Sequence, residues 1–179
     1  MISPHKSRRD IASFDNIHAH GIAPGPDRVL SISPGDSMDP QGFYSIGIHP
    51  WDTPAPPEKL EELERIASGD SRVVAIGECG LDKLRGAALP EQESAFEAQI
   101  VLAERLGLPL IIHCVRAQDR LLKLRRKHPS GRWIVHGFRG GAPAAQQLLD
   151  AGIDLSYCER YNDEAFRITP PGRRFRETD

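Results

Sequence analysis

The chain has 179 residues, 39% of them hydrophobic and 27% charged, with a formal net charge of −2. That length supports one sizeable core and is short for two domains, so residues 1–179 read as a single domain; the charge balance excludes a polycation that grips nucleic acid by bulk charge alone. No segment reaches the ~18–20 consecutive apolar residues of a membrane span, and the start, MISPHKSRRDIASF, lacks the apolar stretch of a secretory signal, so residues 1–10 are expected to be a polar tail and the protein cytoplasmic.

Short apolar runs alternate with amphipathic stretches, the pattern of repeated βα units on a parallel sheet. Strands are expected near Ala12 to Ile17, Arg28 to Ile32, Phe43 to Ile48, Val73 to Glu78, Leu108 to His113, Arg132 to His136, Ile153 to Tyr157 and Arg174 to Thr178. Runs such as VVAIG and LPLII lack alternation, which implies burial on both faces. The loops Gly21 to Pro26 and Pro34 to Gly42 are rich in Gly, Pro and Asp and offer no helix. Helices follow later. Leu60, Leu63, Ile66 and Ala67 share one face after a PP-E start, and Pro90 opens a helix that Gly107 stops in left-handed conformation. Ala117, Leu121 and Leu124 mark a third helix, and Pro143 starts a fourth that ends before Gly152. After the last strand the chain stops at Asp179, with no residues for a further helix. The expectation is a (β/α)8 TIM-type barrel with reduced early helices and no C-terminal helix.

Three cysteines, Cys79, Cys114 and Cys158, lack C-x-x-C spacing and are expected as reduced thiols. Cys79 and Cys114 each follow a polar strand-end residue by one position, so they point to the opposite face, toward the helices.

The chemistry gathers at the strand ends. His18 and His20 are two apart and share a face; Glu78, His113 and His136 each close an apolar run, and Asp179 closes the chain. A buried, unpaired carboxylate such as Glu78 would be expensive, and a barrel brings every such end to one mouth. Six candidate ligands exceed the three or four of a single catalytic ion. Two divalent ions (Mg, Mn or Zn) sharing a carboxylate would account for them, a pair that sits ~3.5–4 Å apart and serves displacement at phosphorus. His49 ends the third run, and Arg116 and Arg139 follow His113 and His136 by three residues; these are candidate substrate contacts, with Lys83 a weaker one. Trp51 and Tyr157 could stack a base, although packing is their ordinary role. Alternatives remain: an amidohydrolase, esterase or lactonase on the same barrel, or a barrel with little activity that acts by binding. The residues carry no signal for an oligomeric state.

The segments HAH, GIHPWD, AIGECGLD, LPLIIHC, VHGFRGG and ETD resemble the ordered motifs of the TatD family, metal-dependent deoxyribonucleases of the amidohydrolase-like barrel superfamily. GIHPWD and GECGLDKLRG look most like the family's short variety. The resemblance runs from about His18 to Asp179. It implies one ion on His18, His20, Glu78 and Asp179 and a second on Glu78, His113 and His136, with Glu78 as the bridge. Asp179 would orient the nucleophilic water and take its proton. The implied reaction is hydrolysis of DNA phosphodiesters, commonly from 3′ ends as a 3′-5′ exonuclease. Three features depart from the family pattern. Asn16 stands where an Asp is usual, which implies altered support behind the ligands. The loop and helix that follow ETD in the family do not follow it here, and the last strand, RRFRETD, is unusually polar.

Overall fold

The computed structural model describes residues 8–179. Eight parallel strands pair in chain order: β1 (Asn16–Ala19), β2 (Arg28–Ile32), β3 (Phe43–Ile46), β4 (Val73–Asp82), β5 (Leu110–Val115), β6 (Trp133–Val135), β7 (Ile153–Tyr157) and β8 (Arg174–Arg176). A bridge between Ala19 and Thr178 joins the last strand to the first and closes the barrel. The expected TIM-type architecture is therefore present. Five helices cover its outside: α1 (Pro57–Gly69), α2 (Leu89–Leu106), α3 (Gln118–Lys127), α4 (Ala142–Asp150) and α5 (Asp163–Ile168). Among the described residues no helix lies between β1 and β2 or between β2 and β3, as the Gly- and Pro-rich loops predict.

Two apolar layers result from strands with buried side chains on both faces. Between sheet and helices pack residues such as Ile46, Ile76, Cys79, Leu81, Phe96, Ile100, Leu121, Trp133 and Leu148. Inside the barrel, Ile11, Phe14, Ile17, Val29, Val74, Ile111, Ile134 and Phe175 form a separate plug. Cys79 and Cys114 belong to the outer layer, the face predicted for them, and all three cysteines are free thiols. Gly107 terminates α2 at φ +65°, its N–H donating to Ala103 and Glu104 carbonyls.

Several boundaries differ from expectation. The first strand begins four residues late: Ile11–Ser13 is a 3-10 turn, with the Asp10 side chain accepting from the Ala12 N–H. That turn drops Phe14 into the plug, edge-on to Phe43 with ring centroids 5.1 Å apart. The polar-tail expectation fails for residues 8–10 and otherwise falls on residues outside those described. Arg8 donates to the Ala67 carbonyl at 2.5 Å, and the Arg9 guanidinium lies 4.0 Å from the Phe14 ring centroid. Strand β4 continues four residues beyond Glu78. Helix α5 was not expected; Asn162 caps it by accepting from the Ala165 N–H. The polar last strand is resolved by its alternation: Phe175 enters the plug while Arg174 lies 3.9 Å over the Phe166 ring outside.

Candidate metal centre at the barrel mouth

Each predicted ligand reaches the C-terminal mouth by a different backbone device. His18 lies within β1 with its ring wholly buried, and His20 stands just past the strand at the lip. His49 follows β3 through Gly47 and Ile48; a Cβ at position 47 would sit 2.7 Å from the Glu78 carbonyl oxygen, so only glycine lets β3 and β4 approach here. Glu78 projects from the middle of β4 and His113 from β5. His136 lies one residue beyond β6, its N–H donating to the Ile112 carbonyl, and Asp179 lies three beyond β8.

The five histidines converge on Glu78, and Asp179 joins them through His20. Its Oε1 is 2.8 Å from His113 Nδ1, 2.8 Å from His136 Nε2 and 3.0 Å from His49 Nε2. Its Oε2 is 3.5 Å from both His18 Nε2 and His20 Nε2, which are themselves 3.1 Å apart. Asp179 Oδ1 is 3.9 Å from His20 Nε2. The sets His18–His20–Asp179, His18–Glu78–His136 and His49–Glu78–His113 each gather their ligand atoms within 4.8 Å. One carboxylate thus has an oxygen turned to the β1 pair and the other to the β5 and β6 histidines. His49, expected as a substrate contact, lies inside the cluster.

The electrostatics follow from that crowding. Burial alone would raise the Glu78 carboxyl, but its hydrogen bonds to His113, His136, His20 and His49 outweigh burial and hold it far below the usual range. His18 is pushed down to about 3 by burial and by the charge of His136. Burial opposes the charge on His136 too, yet Glu177 and Glu78 at its two ring nitrogens hold it up to about 10.

Behind the ring stand residues that the sequence analysis did not single out. Asp82, almost fully buried, accepts from Trp51 Nε1 at 2.7 Å and from the Leu84 N–H at 2.8 Å, and faces His113 Nε2 at 3.1 Å. An acceptor there fixes the His113 proton on Nε2 and turns the Nδ1 lone pair toward Glu78. Nδ1 then meets the Glu78 oxygen at 2.8 Å, a contact that a shared proton or a cation between the two must satisfy. That requirement, with imidazole nitrogen and carboxylate oxygen as the donors, fits divalent metal such as zinc or manganese. His49 is oriented otherwise: the Trp51 N–H donates to its Nδ1 at 3.2 Å, so its Nε2 carries the proton and acts as a donor. Glu177 is buried behind His136, 3.7 Å from its Nδ1, and accepts from the Ser156 hydroxyl. Asn16 links the seam, its Oδ1 accepting from the His18 N–H at 3.2 Å while its Nδ2 donates to Thr178 Oγ1 at 2.6 Å. A carboxylate at position 16 could accept both bonds only from donors; the amide supplies one itself. Sequence parity could have found one of the two acids: Asp82 is four residues from Glu78 along β4.

The expected substrate residues divide. Arg116 and Lys83 are exposed beside the strand ends, and Arg116 has left-handed backbone at φ +50°. Arg139 is exposed next to Asp179 and donates to Cys158 Sγ at 3.8 Å. Trp51 is 42% exposed at the mouth, with the Arg85 guanidinium 3.6 Å from its ring centroid. Tyr157 is buried against Phe138 and Phe166, its hydroxyl bonded to Thr169, so it packs and cannot stack a base.

A family model described as TatD related DNase matches residues 28–179. The chain belongs to the TatD-related DNase family. The match begins after His18 and His20, so their place beside Glu78 rests on the barrel geometry. Among relatives of this TatD-type chain, the 3′-5′ ssDNA/RNA exonuclease TatD of Klebsiella pneumoniae (strain 342) is 41% identical over 120 residues, covering 62% of this chain and 43% of that protein. The protein of the same name from Enterobacter lignolyticus (strain SCF1) is 34% identical over 150 residues, covering 76% and 57%. The chain therefore spans about half the length of these relatives. The crystal structure of a TatD homologue from Escherichia coli K12 shares the fold at TM-score 0.74 and 24% identity, covering 85% of this chain and 66% of that one. No helix described is long and apolar enough to cross a membrane.

Proposed function

We propose that this chain is a metal-dependent phosphodiesterase acting on DNA ends, a 3′-5′ exodeoxyribonuclease that folds as one domain and works in the cytoplasm. The observation that carries this reading is Glu78, a carboxylate surrounded by histidines from β1, the β3 loop, β5 and β6 with Asp179 alongside. The names of the relatives support nucleic acid as substrate. His18, His20, Glu78 and Asp179 would hold one divalent ion, and Glu78, His113 and His136 a second. Bound there, such a pair would activate water and neutralise charge on the phosphate undergoing displacement.

The protein's own groups supply the rest. Asp179, exposed at the lip, takes the proton of the attacking water; the water oxygen bonds to phosphorus, the bond from phosphorus to the 3′ oxygen of the preceding nucleotide breaks, and that oxygen takes a proton from solvent to become the new 3′-hydroxyl as a nucleoside 5′-monophosphate is released. His49 Nε2–H is turned into the site and can donate to a phosphoryl oxygen, where charge develops. Asp82 holds His113 by its outer nitrogen and keeps the inner one directed at Glu78, while Glu177 faces the outer nitrogen of His136 at 3.7 Å as a fixed negative charge, too far for a direct hydrogen bond. Arg116 and Arg139 stand at the rim as phosphate contacts.

The test is a nuclease assay on single-stranded, 3′-labelled DNA with chelated protein, followed by addition of Mg, Mn or Zn. Stepwise release of mononucleotides that stops with chelator and returns with metal is expected. Protein that cleaves equally with and without chelator, or that cleaves a lactone or amide while leaving DNA intact, would overturn the reading.

A further inference from the structure

Asp179 borders two cavities of about 400 Å³ each, and their chemistry differs. The first opens toward β2 and β3, with Ser33, Asp36, His49, Trp51 and Asp52 in its wall and neither lysine nor arginine. The second opens toward the loops after β6 and β7, with Arg139, Cys158, Glu159, Arg160 and Thr178 in its wall. Resting on the nuclease reading above, we propose that Arg139 and Arg160 form a subsite for the phosphodiester adjacent to the one cleaved, while the terminal nucleoside occupies the Trp51 side.

Several arginines of this chain are held by carboxylates. Arg72 bonds Asp70, Arg105 bonds Glu64, and Arg132 and Arg173 share Asp154. Arg139 and Arg160 have no carboxylate within 4 Å among the described residues, although Glu159 shares their cavity. Arg139 is steadied only by Cys158, with Nη2 3.8 Å from the sulfur. Two guanidinium groups with free donors beside Asp179 suit the oxygens of a nucleic-acid backbone, which a planar fork can bind bidentately. The opposite cavity suits what a 3′-hydroxyl end presents: a base, for which Trp51 offers an exposed ring, and hydroxyls, for which Ser33 and Asp36 offer partners. Away from the metal ligands, a 3′-phosphate placed there would meet Asp36 and Asp52, and the Arg85 guanidinium stacked on Trp51 is not part of that wall. The two walls therefore set the direction of the strand across Asp179 and select against phosphorylated ends.

Binding is read by fluorescence anisotropy of a labelled single-stranded oligonucleotide, with chelated protein, over a range of salt. Arg139→Ala and Arg160→Ala are each expected to weaken binding and to flatten the dependence of log affinity on log salt by about 0.7, the contribution of one phosphate contact on a single strand. Arg65→Ala, on the exposed face of α1, controls for the loss of one positive charge. Variants at 139 and 160 that match Arg65→Ala in affinity and slope would overturn the subsite. With Mn added, a 3′-hydroxyl oligonucleotide is expected to be shortened faster than its 3′-phosphate counterpart; equal rates, or a faster 3′-phosphate, would overturn the assignment of sides. If metal-loaded protein shortens neither, the nuclease reading fails, while the anisotropy series still decides whether the two arginines bind backbone.

Discussion

At its N-terminal pole the barrel is filled by Phe14, Ile17, Val29, Val74, Ile111, Ile134 and Phe175; at its C-terminal pole the same strands deliver His18, Glu78, His113 and Asp179. Ile17 and His18 are neighbours in β1, and Ile111 and His113 are two residues apart in β5. The plug gains from apolar area removed from water, about 25 cal/mol per Å². The mouth instead gathers ionisable groups, a carboxylate among imidazoles, whose burial costs solvation that their mutual contacts must offset. One pole holds the strands together, and the other uses the positions they fix.

If that division is right, damage to each pole should have a different signature. The largest effect is expected from Glu78→Ala, which removes the carboxylate common to every histidine pair. Nuclease turnover should fall to background while the thermal midpoint in chelator changes little, and activity within about tenfold of the original protein would break the account. Phe14→Ala should do the reverse, costing about 3 kcal/mol in denaturant unfolding with metal affinity preserved, because it leaves a cavity far from the mouth. Asp82→Asn should weaken metal binding by about 10- to 100-fold in competition titrations, since the His113 proton is no longer fixed by a charged acceptor. Unchanged affinity would mean that Asp82 serves Trp51 alone.

The smallest effect lies away from the mouth. The Asp70 carboxyl is held below its usual range by its hydrogen bonds from Arg72, with burial opposing. A lowered carboxyl pKa stabilises above the unfolded value of about 3.9, and that contribution fades as pH falls through the folded value. Asp70→Asn should cost less than about 1 kcal/mol near pH 7, and the difference from the original protein should vanish in strong acid. A constant difference across that range would assign the cost to packing.

Much of this was legible from residue order. His18, His113 and His136 stand out because an ionisable group closing an apolar run needs a partner, and a barrel sends all such ends to one place. Helices α1 to α4 follow their apolar stripes and their proline starts. The ASFDNI segment misled because its apolar residues suit a strand, whereas Asp10 caps a turn that spends Ile11 and Phe14 on the plug. Helix α5 escaped notice because YNDEAFRI offers six helical residues and a single buried alanine, too little periodicity to read. Asp82 escapes the sequence reading because β4 is expected to end at Glu78, and Glu177 because its role behind His136 follows from the closure of the barrel and not from its own segment.

The join between β1 and β8 has a consequence of its own. His18 and His20 stand on one side of it and Asp179 on the other, with Asn16 and Thr178 bonded across. A cation held by His20 and Asp179 together would act as a clasp on the cylinder, and loading the centre would then be coupled to keeping the wall shut. By mass action the protein should then resist heat and proteolysis in proportion to how tightly that clasp is held.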